Sequence, residues 1–205
     1  MNQPLFGILL AILLLFTPIQ ATANSTEPPP TVQIVTNYGD IILRLYPKEA
    51  PKTTANFLRY VNDGFYDHSI FHRVIDGFLI QAGGFNADMS PKKTLKPILN
   101  ESRNTLKNER GMVGMAQAAA APHSAESQFY INVVDNFFLD KPIQNGYGFT
   151  VFAKVIHGMK TVDKIKRVQT RNLRVYSPTY KRKIFLHHVP EKTVLIESAK
   201  QLSQN

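Results

Sequence analysis

The sequence predicts a mainly β domain, with strands that close or nearly close into a barrel and two added helices. Three observations carry this expectation. Apolar runs of four to six residues recur along most of the chain, bounded by Gly, Pro, Asn or Asp. Only two segments carry apolar residues at helical spacing. Strands and helices do not alternate as the βαβ units of a parallel sheet would require.

In chain order, Leu5–Phe16 is nearly continuous apolar sequence, and Ala21-Thr22-Ala23 follows with the small-x-small pattern of a signal-peptidase site. The run is too short to span a bilayer comfortably, and no Lys or Arg precedes it. Residues 1–23 are therefore expected to be a signal peptide cleaved after Ala23. Residues 24–31, with Glu27-Pro28-Pro29-Pro30, read as a stiff linker. Strands are expected at 32–36 and 41–45 around the turn Asn37-Tyr38-Gly39-Asp40. A helix over 51–62 begins with Pro51 in its first turn, carries the stripe Phe57, Leu58 and Val61, and stops at Gly64. Further strands are expected at 71–75, 78–81, 112–116, 129–133, 150–155 and 193–197. A second helix covers 159–168, with Val162, Ile165 and Val168 on one side. The sequence contains no internal repeat and no second apolar run of membrane-spanning length.

Hydrophobic residues at 43% and charged residues at 19% exclude a disordered chain. With no cysteine, disulfide and thiolate chemistry are absent. The formal charge of +9 lies entirely beyond residue 23, because residues 1–23 carry no charged side chain. Such a balance raises nucleic acid, anionic membrane and acidic proteins as partners without choosing among them. Much of it falls between Lys160 and Lys183, where nine basic residues accompany one acid, Asp163, with Tyr176 and Tyr180 interleaved and Phe185 following. A solvated basic loop is the plainer reading, and contact with nucleic acid or an anionic surface is the alternative. No metal site is expected, since His68, His72, His123, His157, His187 and His188 lack paired ligand spacing. Ser124 and Ser127 have no nucleophile-elbow setting.

Two segments stand out. The first is Phe71-His72-Arg73-Val74-Ile75-Asp76-Gly77-Phe78-Leu79-Ile80-Gln81-Ala82-Gly83-Gly84. The second is Gly111-Met112-Val113-Gly114-Met115-Ala116-Gln117, followed by Ser127-Gln128-Phe129-Tyr130-Ile131-Asn132. On a strand, Arg73 and Ile75 project to the same side. Read alone, these residues give an arginine beside an apolar, aromatic surface, a structural histidine and core phenylalanines. Taken together, with Phe138-Leu139-Asp140 beyond them, their identity and spacing resemble the cyclophilins, and most of all the exported cyclophilins of Gram-negative bacteria. The resemblance runs from about residue 32 to about 199.

That resemblance implies an eight-stranded antiparallel β-barrel capped by two α-helices, occupying residues 32–205, with substrate on its outer face. It implies peptidyl-prolyl cis/trans isomerase activity toward proline-containing polypeptide clients, with no cofactor, and an exported, periplasmic enzyme expected to be a monomer. Carried over position by position, Arg73 is the central catalytic residue and Gln81 holds it. Phe78, Leu79, Tyr130 and Leu139 form a proline pocket, with Met115 at its border and Phe129 behind it in the core. Ala116 and Gln117 offer backbone groups to the residue before proline, and His72, Ile75 and Gln128 border the groove. Phe138 stands where a tryptophan associated with cyclosporin binding is found in eukaryotic members, and Phe149 where they have histidine, so weak cyclosporin binding is expected. Asp76, Ala82 and Tyr130 depart from commoner proline, glycine and phenylalanine. A peptide-binding module or chaperone using the same groove or the basic stretch is the alternative.

Overall fold

The computed structural model describes residues 28–118, 120–141, 146–177 and 181–203. The expected signal peptide, the start of the linker and Tyr180 lie outside these residues. Ten strands and two helices follow one another: β1 (Thr31–Thr36), β2 (Gly39–Leu45), α1 (Pro51–Asn62), β3 (Ser69–Ile75), β4 (Leu79–Asn86), β5 (Met112–Met115) and β6 (Phe129–Asn132). After a 3-10 turn at Phe137–Asp140 come β7 (Val151–His157), α2 (Met159–Ile165), β8 (Thr170–Ser177), β9 (Arg182–Pro190) and β10 (Leu195–Gln201). Eight strands close into an antiparallel barrel in the order β1-β10-β3-β4-β6-β5-β7-β2, as the resemblance implied. Among the described residues no helix is long and apolar enough to cross a membrane.

Period-two patterning builds the interior. Val32 and Ile34 of β1 and Ile41, Leu43 and Leu45 of β2 are buried, while residues between them reach solvent. Phe57 of α1 drops into this interior, its ring 5.3 Å from Tyr66, 5.5 Å from Phe129 and 5.1 Å from Phe152. Val162 and Ile165 of α2 join the same core. The start of α1 has no side-chain cap of its own. Glu101 supplies one from 48 residues away, its carboxylate accepting from the amides of Lys52 at 3.0 Å and Thr53 at 2.8 Å. β5 and β6 are buried along their whole length. Only one of their faces meets the barrel core; the other is covered by segments around Asn108, Leu139 and Phe149, where the site lies.

The basic stretch corrects the expectation of a solvated loop. β8 and β9 pair as an antiparallel hairpin separate from the barrel sheet, with Leu173 opposite Leu186, Arg174 opposite Phe185 and Tyr176 opposite Lys183. Leu173, Val175, Ile184 and Leu186 are half-buried, and the intervening Arg174, Tyr176, Lys183 and Phe185 are exposed. The strand period is present in the sequence, but every second position is charged or aromatic, so the run looks like a charge cluster rather than a strand. The second helix also ends earlier than expected, at Ile165, with Lys166 closing the turn.

Candidate functional site

A β-bulge sets the site. Phe71 pairs with Ala82 and Arg73 with Gln81, so two residues of β3 advance against one step of β4. Such a bulge re-aims side chains, and it falls at His72 and Arg73. Cross-strand pairing then places Gln81 beside Tyr130, and Tyr130 beside Gly114. Arg73, Gln81 and Tyr130 thus form one row across three strands.

Along that row the polar side chains hold one another. Arg73 Nη1 donates to Gln81 Oε1 at 3.2 Å, and Gln81 Nε2 donates to Gln128 Oε1 at 2.8 Å. Gln128 lies flat against the backbone of Gly84, where a Cβ would stand 2.6 Å from its Cδ. Half-burial lowers the Arg73 pKa, yet a guanidinium remains charged at any physiological pH. Its Cζ stands 5.9 Å from the Phe78 ring centroid, beside an apolar cluster.

Leu79, Tyr130 and Leu139 form a small apolar cluster separate from the barrel core, with Phe78, Ala116 and Phe149 packed against it. Tyr130 and Phe149 meet edge to face at 6.1 Å, and Phe78 stacks on Phe138 at 5.6 Å. Phe138 is 57% exposed, and Ile75 is half-buried at the end of β3. The Ala116 amide is engaged by the Gln128 carbonyl at 2.9 Å, which leaves Ala116 its carbonyl. The Gln117 side chain is tied to Asn100 at 2.7 Å and the Gly148 carbonyl at 3.2 Å. Met115 departs from its expected place at the pocket border: it pairs with Phe129 and lies 1% exposed in the barrel core. Gly114 instead shares the face of Tyr130, and a Cβ there would collide with the phenol ring.

The hydroxyl that distinguishes Tyr130 from phenylalanine is satisfied. It donates to Asn108 Oδ1 at 2.7 Å, and burial, with Asp140 nearby, raises its pKa well above the ordinary value, so the donor stays protonated. Asn108, fully buried, donates through Nδ2 to Asp140 Oδ1 at 2.8 Å and accepts from Asn132 Nδ2 at 3.1 Å. Asn136 Nδ2 donates to Asn132 Oδ1 at 2.7 Å and to the Phe78 carbonyl at 2.9 Å. This network ties the turn bearing Phe78 to the segment bearing Leu139. Sequence reading assigned no role to Asn108, Asn132 or Asn136. Asp76 also does more than fill a turn. Its carboxylate accepts from the Gly77 amide at 2.9 Å and pairs with Lys166 at 3.1 Å, which lowers its pKa. Ala82, the other departure, is fully buried in the barrel core.

His72 packs against Phe85 at 4.7 Å, and its Nδ1 meets no hydrogen-bond partner. Burial pushes its pKa down to about 4, with the Arg73 charge adding to the push. Above pH ~6.5 the ring is neutral in folded and unfolded chains alike. As pH falls from ~6.5 to about 4, the unfolded chain takes up a proton that the folded one refuses, so stability falls across that window. At ~1.4 kcal/mol per pH unit the loss is of order 3 kcal/mol. Urea unfolding of wild type and His72→Gln from pH 4 to pH 7 should show this slope only in wild type; parallel profiles would contradict it. Among the described residues no group of His, Asp or Glu is placed to hold a metal ion.

Comparison with known proteins places the whole barrel domain in a family. The family model described as "Cyclophilin type peptidyl-prolyl cis-trans isomerase/CLD" matches residues 31–201. The chain is 48% identical over 165 residues to peptidyl-prolyl cis-trans isomerase B of Escherichia coli, covering 80% of this chain and 94% of that protein. It is 45% identical over 185 residues to peptidyl-prolyl cis-trans isomerase A of Dickeya dadantii, covering 90% and 89%. A crystal structure of a cyclophilin-type isomerase from Cryptosporidium parvum, obtained in the presence of the dipeptide Ala-Pro, superposes with a TM-score of 0.66 at 26% identity, covering 85% of this chain and 99% of that one.

Proposed function

The chain belongs to the cyclophilin family of peptidyl-prolyl cis/trans isomerases, and from that premise we propose that Arg73 accelerates rotation about Xaa-Pro bonds by stabilising the twisted prolyl amide. The observation that carries this reading is a single guanidinium, held by Gln81, which Gln128 holds in turn, beside an otherwise apolar cluster.

A planar amide resists rotation by ~18–20 kcal/mol because nitrogen shares its lone pair with the carbonyl. Twisting ends that sharing and leaves the prolyl nitrogen pyramidal, with a lone pair able to accept a hydrogen bond. In this reading the proline ring seats among Phe78, Leu79, Tyr130 and Leu139, while Phe138, Phe149 and Ile75 flank it. The carbonyl of Ala116 and the backbone of Gln117 receive the preceding residue, whose carbonyl swings. Arg73 then donates to the nitrogen more strongly when the amide is twisted than when it is planar, and such differential binding speeds a reaction. Gln81 keeps the guanidinium pre-positioned, so little is lost in ordering it at the moment of rotation. No covalent bond to the client forms and no proton needs to move. Cis and trans differ by only ~0.5–1 kcal/mol, so the enzyme speeds a near-balanced exchange. Removing Arg73 tests the mechanism through exchange rate rather than affinity.

Exported proteins are the clients this reading favours. The apolar run Leu5–Phe16 and the Ala21-Thr22-Ala23 pattern support export, and the Gram-negative periplasm is the destination proposed. N-terminal sequencing of the protein recovered from a bacterial periplasm should begin at Asn24; an intact Met1 would contradict it.

A further inference from the structure

Residues 170–190 carry Arg171, Arg174, Lys181, Arg182 and Lys183 and no Asp or Glu. The β8–β9 hairpin that they form stands outside the barrel, and a lone two-stranded hairpin is marginal in water. This one is docked: β9 runs alongside β3, and Val189 and Pro190 at its end are buried. Its exposed face keeps a defined order. The Arg174 guanidinium lies 5.0 Å over the Phe185 ring, which stacks on His187 at 6.3 Å. Tyr176 and Phe185 are 59% and 60% exposed, an unusual showing of aromatic surface on a strongly basic element.

Between hairpin and barrel lies a cavity of about 510 Å³. His72, Arg73 and Gln128 border it from the barrel, and Phe185, His187 and His188 from the hairpin. Arg73 therefore has two neighbourhoods at once, the apolar cluster beside Phe78 and this cavity. β5, β6, β4 and β3 are successive neighbours in the barrel, and β9 packs against β3 without joining that sheet, so a chain seated beside Ala116 and Tyr130 that continued past Arg73 would reach the hairpin. His72, 5% exposed with an unpartnered Nδ1, borders the same passage.

We propose that the β8–β9 hairpin is a client-selecting wall, extending the groove past Arg73 and favouring polypeptides with Asp or Glu two or three residues after the proline. The proposal rests on the seating of proline beside Arg73. Charge complementarity carries it. A carboxylate entering this cavity meets the Arg73 guanidinium and His72 from the barrel, His187 and His188 from the hairpin, and no acidic side chain among the described residues, with Phe185 and Leu186 in its lining. A position at the end of a peptide groove fits a polypeptide better than a phosphate backbone, which would need a continuous cationic track.

The experiment compares two peptides with the full mature protein: Ala-Ala-Pro-Ala-Glu-Glu and its Gln-Gln counterpart, followed by exchange spectroscopy at low and high salt. Wild type should act on the acidic peptide roughly three- to tenfold more efficiently at low salt, the advantage shrinking as salt screens exposed charges. In Arg174→Glu/Lys183→Glu, whose substitutions sit on exposed positions, the preference should disappear or invert while the thermal melt stays close to wild type. Equal rates for the two peptides with wild type, or a preference that survives the charge reversal, would overturn the proposal. Salt-sensitive binding of single-stranded DNA without any peptide preference would also overturn it, in favour of a nucleic-acid surface. Acceleration of both peptides that persists in Arg73→Ala would instead sink the seating of proline beside Arg73, and this proposal with it.

Discussion

Replacing Arg73 by alanine should lower kcat/KM for an Ala-Pro peptide by about a hundred- to a thousandfold, the effect of deleting one preorganised donor aimed at charge that develops in a transition state. The magnitude follows from the site. The cluster of Leu79, Tyr130 and Leu139 beside Arg73 is apolar, and the Tyr130 hydroxyl is already committed to Asn108. The nearest polar neighbours cannot replace the guanidinium, because the Gln81 and Gln128 amides are engaged with each other. Arg73→Lys should recover only part of the loss. An ammonium keeps the charge but not the planar fork that lets one nitrogen rest on Gln81 while another faces the client. A coupled or exchange assay on the three proteins checks the order wild type, Lys, Ala; an Ala variant within threefold of wild type would contradict it.

Phe57→Ala should be the most damaging single change to the fold, costing about 3–5 kcal/mol. Phe57 has no exposed surface, and its ring sits within 5.1–5.5 Å of Tyr66, Phe129 and Phe152, contributed by three separate parts of the chain. Truncation removes the ring's burial and leaves a cavity that the closed barrel around it resists filling. For a domain of this size each kcal/mol moves Tm by about 2–4 °C, so a drop of roughly 6–20 °C is expected in a thermal melt. A shift under ~2 °C would mean that the core relaxes far more than its geometry indicates. Because Phe129 precedes Tyr130, which belongs to the proposed proline site, the variant should also lose part of its activity well below its melting point.

Where apolar and polar residues alternated, or where Pro and Gly punctuated, the elements were legible. Helix α1 was bounded by Pro51 and Gly64, and β1 and β2 by the Tyr38-Gly39 turn. Arg73, Gln81, Phe78, Leu79, Tyr130 and Leu139 were singled out through the resemblance to cyclophilins rather than from the residues alone, and the structure places them near one another. Met115 went astray because residue type alone does not fix the face of a strand; parity does, and the Gly114–Tyr130 pairing sends the next residue inward. The Asn108 network joins residues up to 58 positions apart, with nothing local to announce it. The hairpin was hidden because its exposed face is almost all Arg, Lys and aromatic, which masks the half-buried Leu173, Val175, Ile184 and Leu186 behind it. Glu101 as the cap of α1 was invisible for the same reason as Asn108: its partners are far away in the chain.

The most direct test of differential stabilisation reads affinity and exchange in one sample, by titrating an Ala-Pro peptide into wild type and into Arg73→Ala and fitting the NMR line shapes. If Arg73 acts on the twisted amide, the peptide should bind the variant within a few-fold of wild type, because the apolar cluster is intact, while catalysed cis/trans exchange on the enzyme is almost lost. If affinity and exchange instead fall by the same factor, Arg73 binds planar and twisted prolyl amides alike, and selective stabilisation of the twisted amide is not its role.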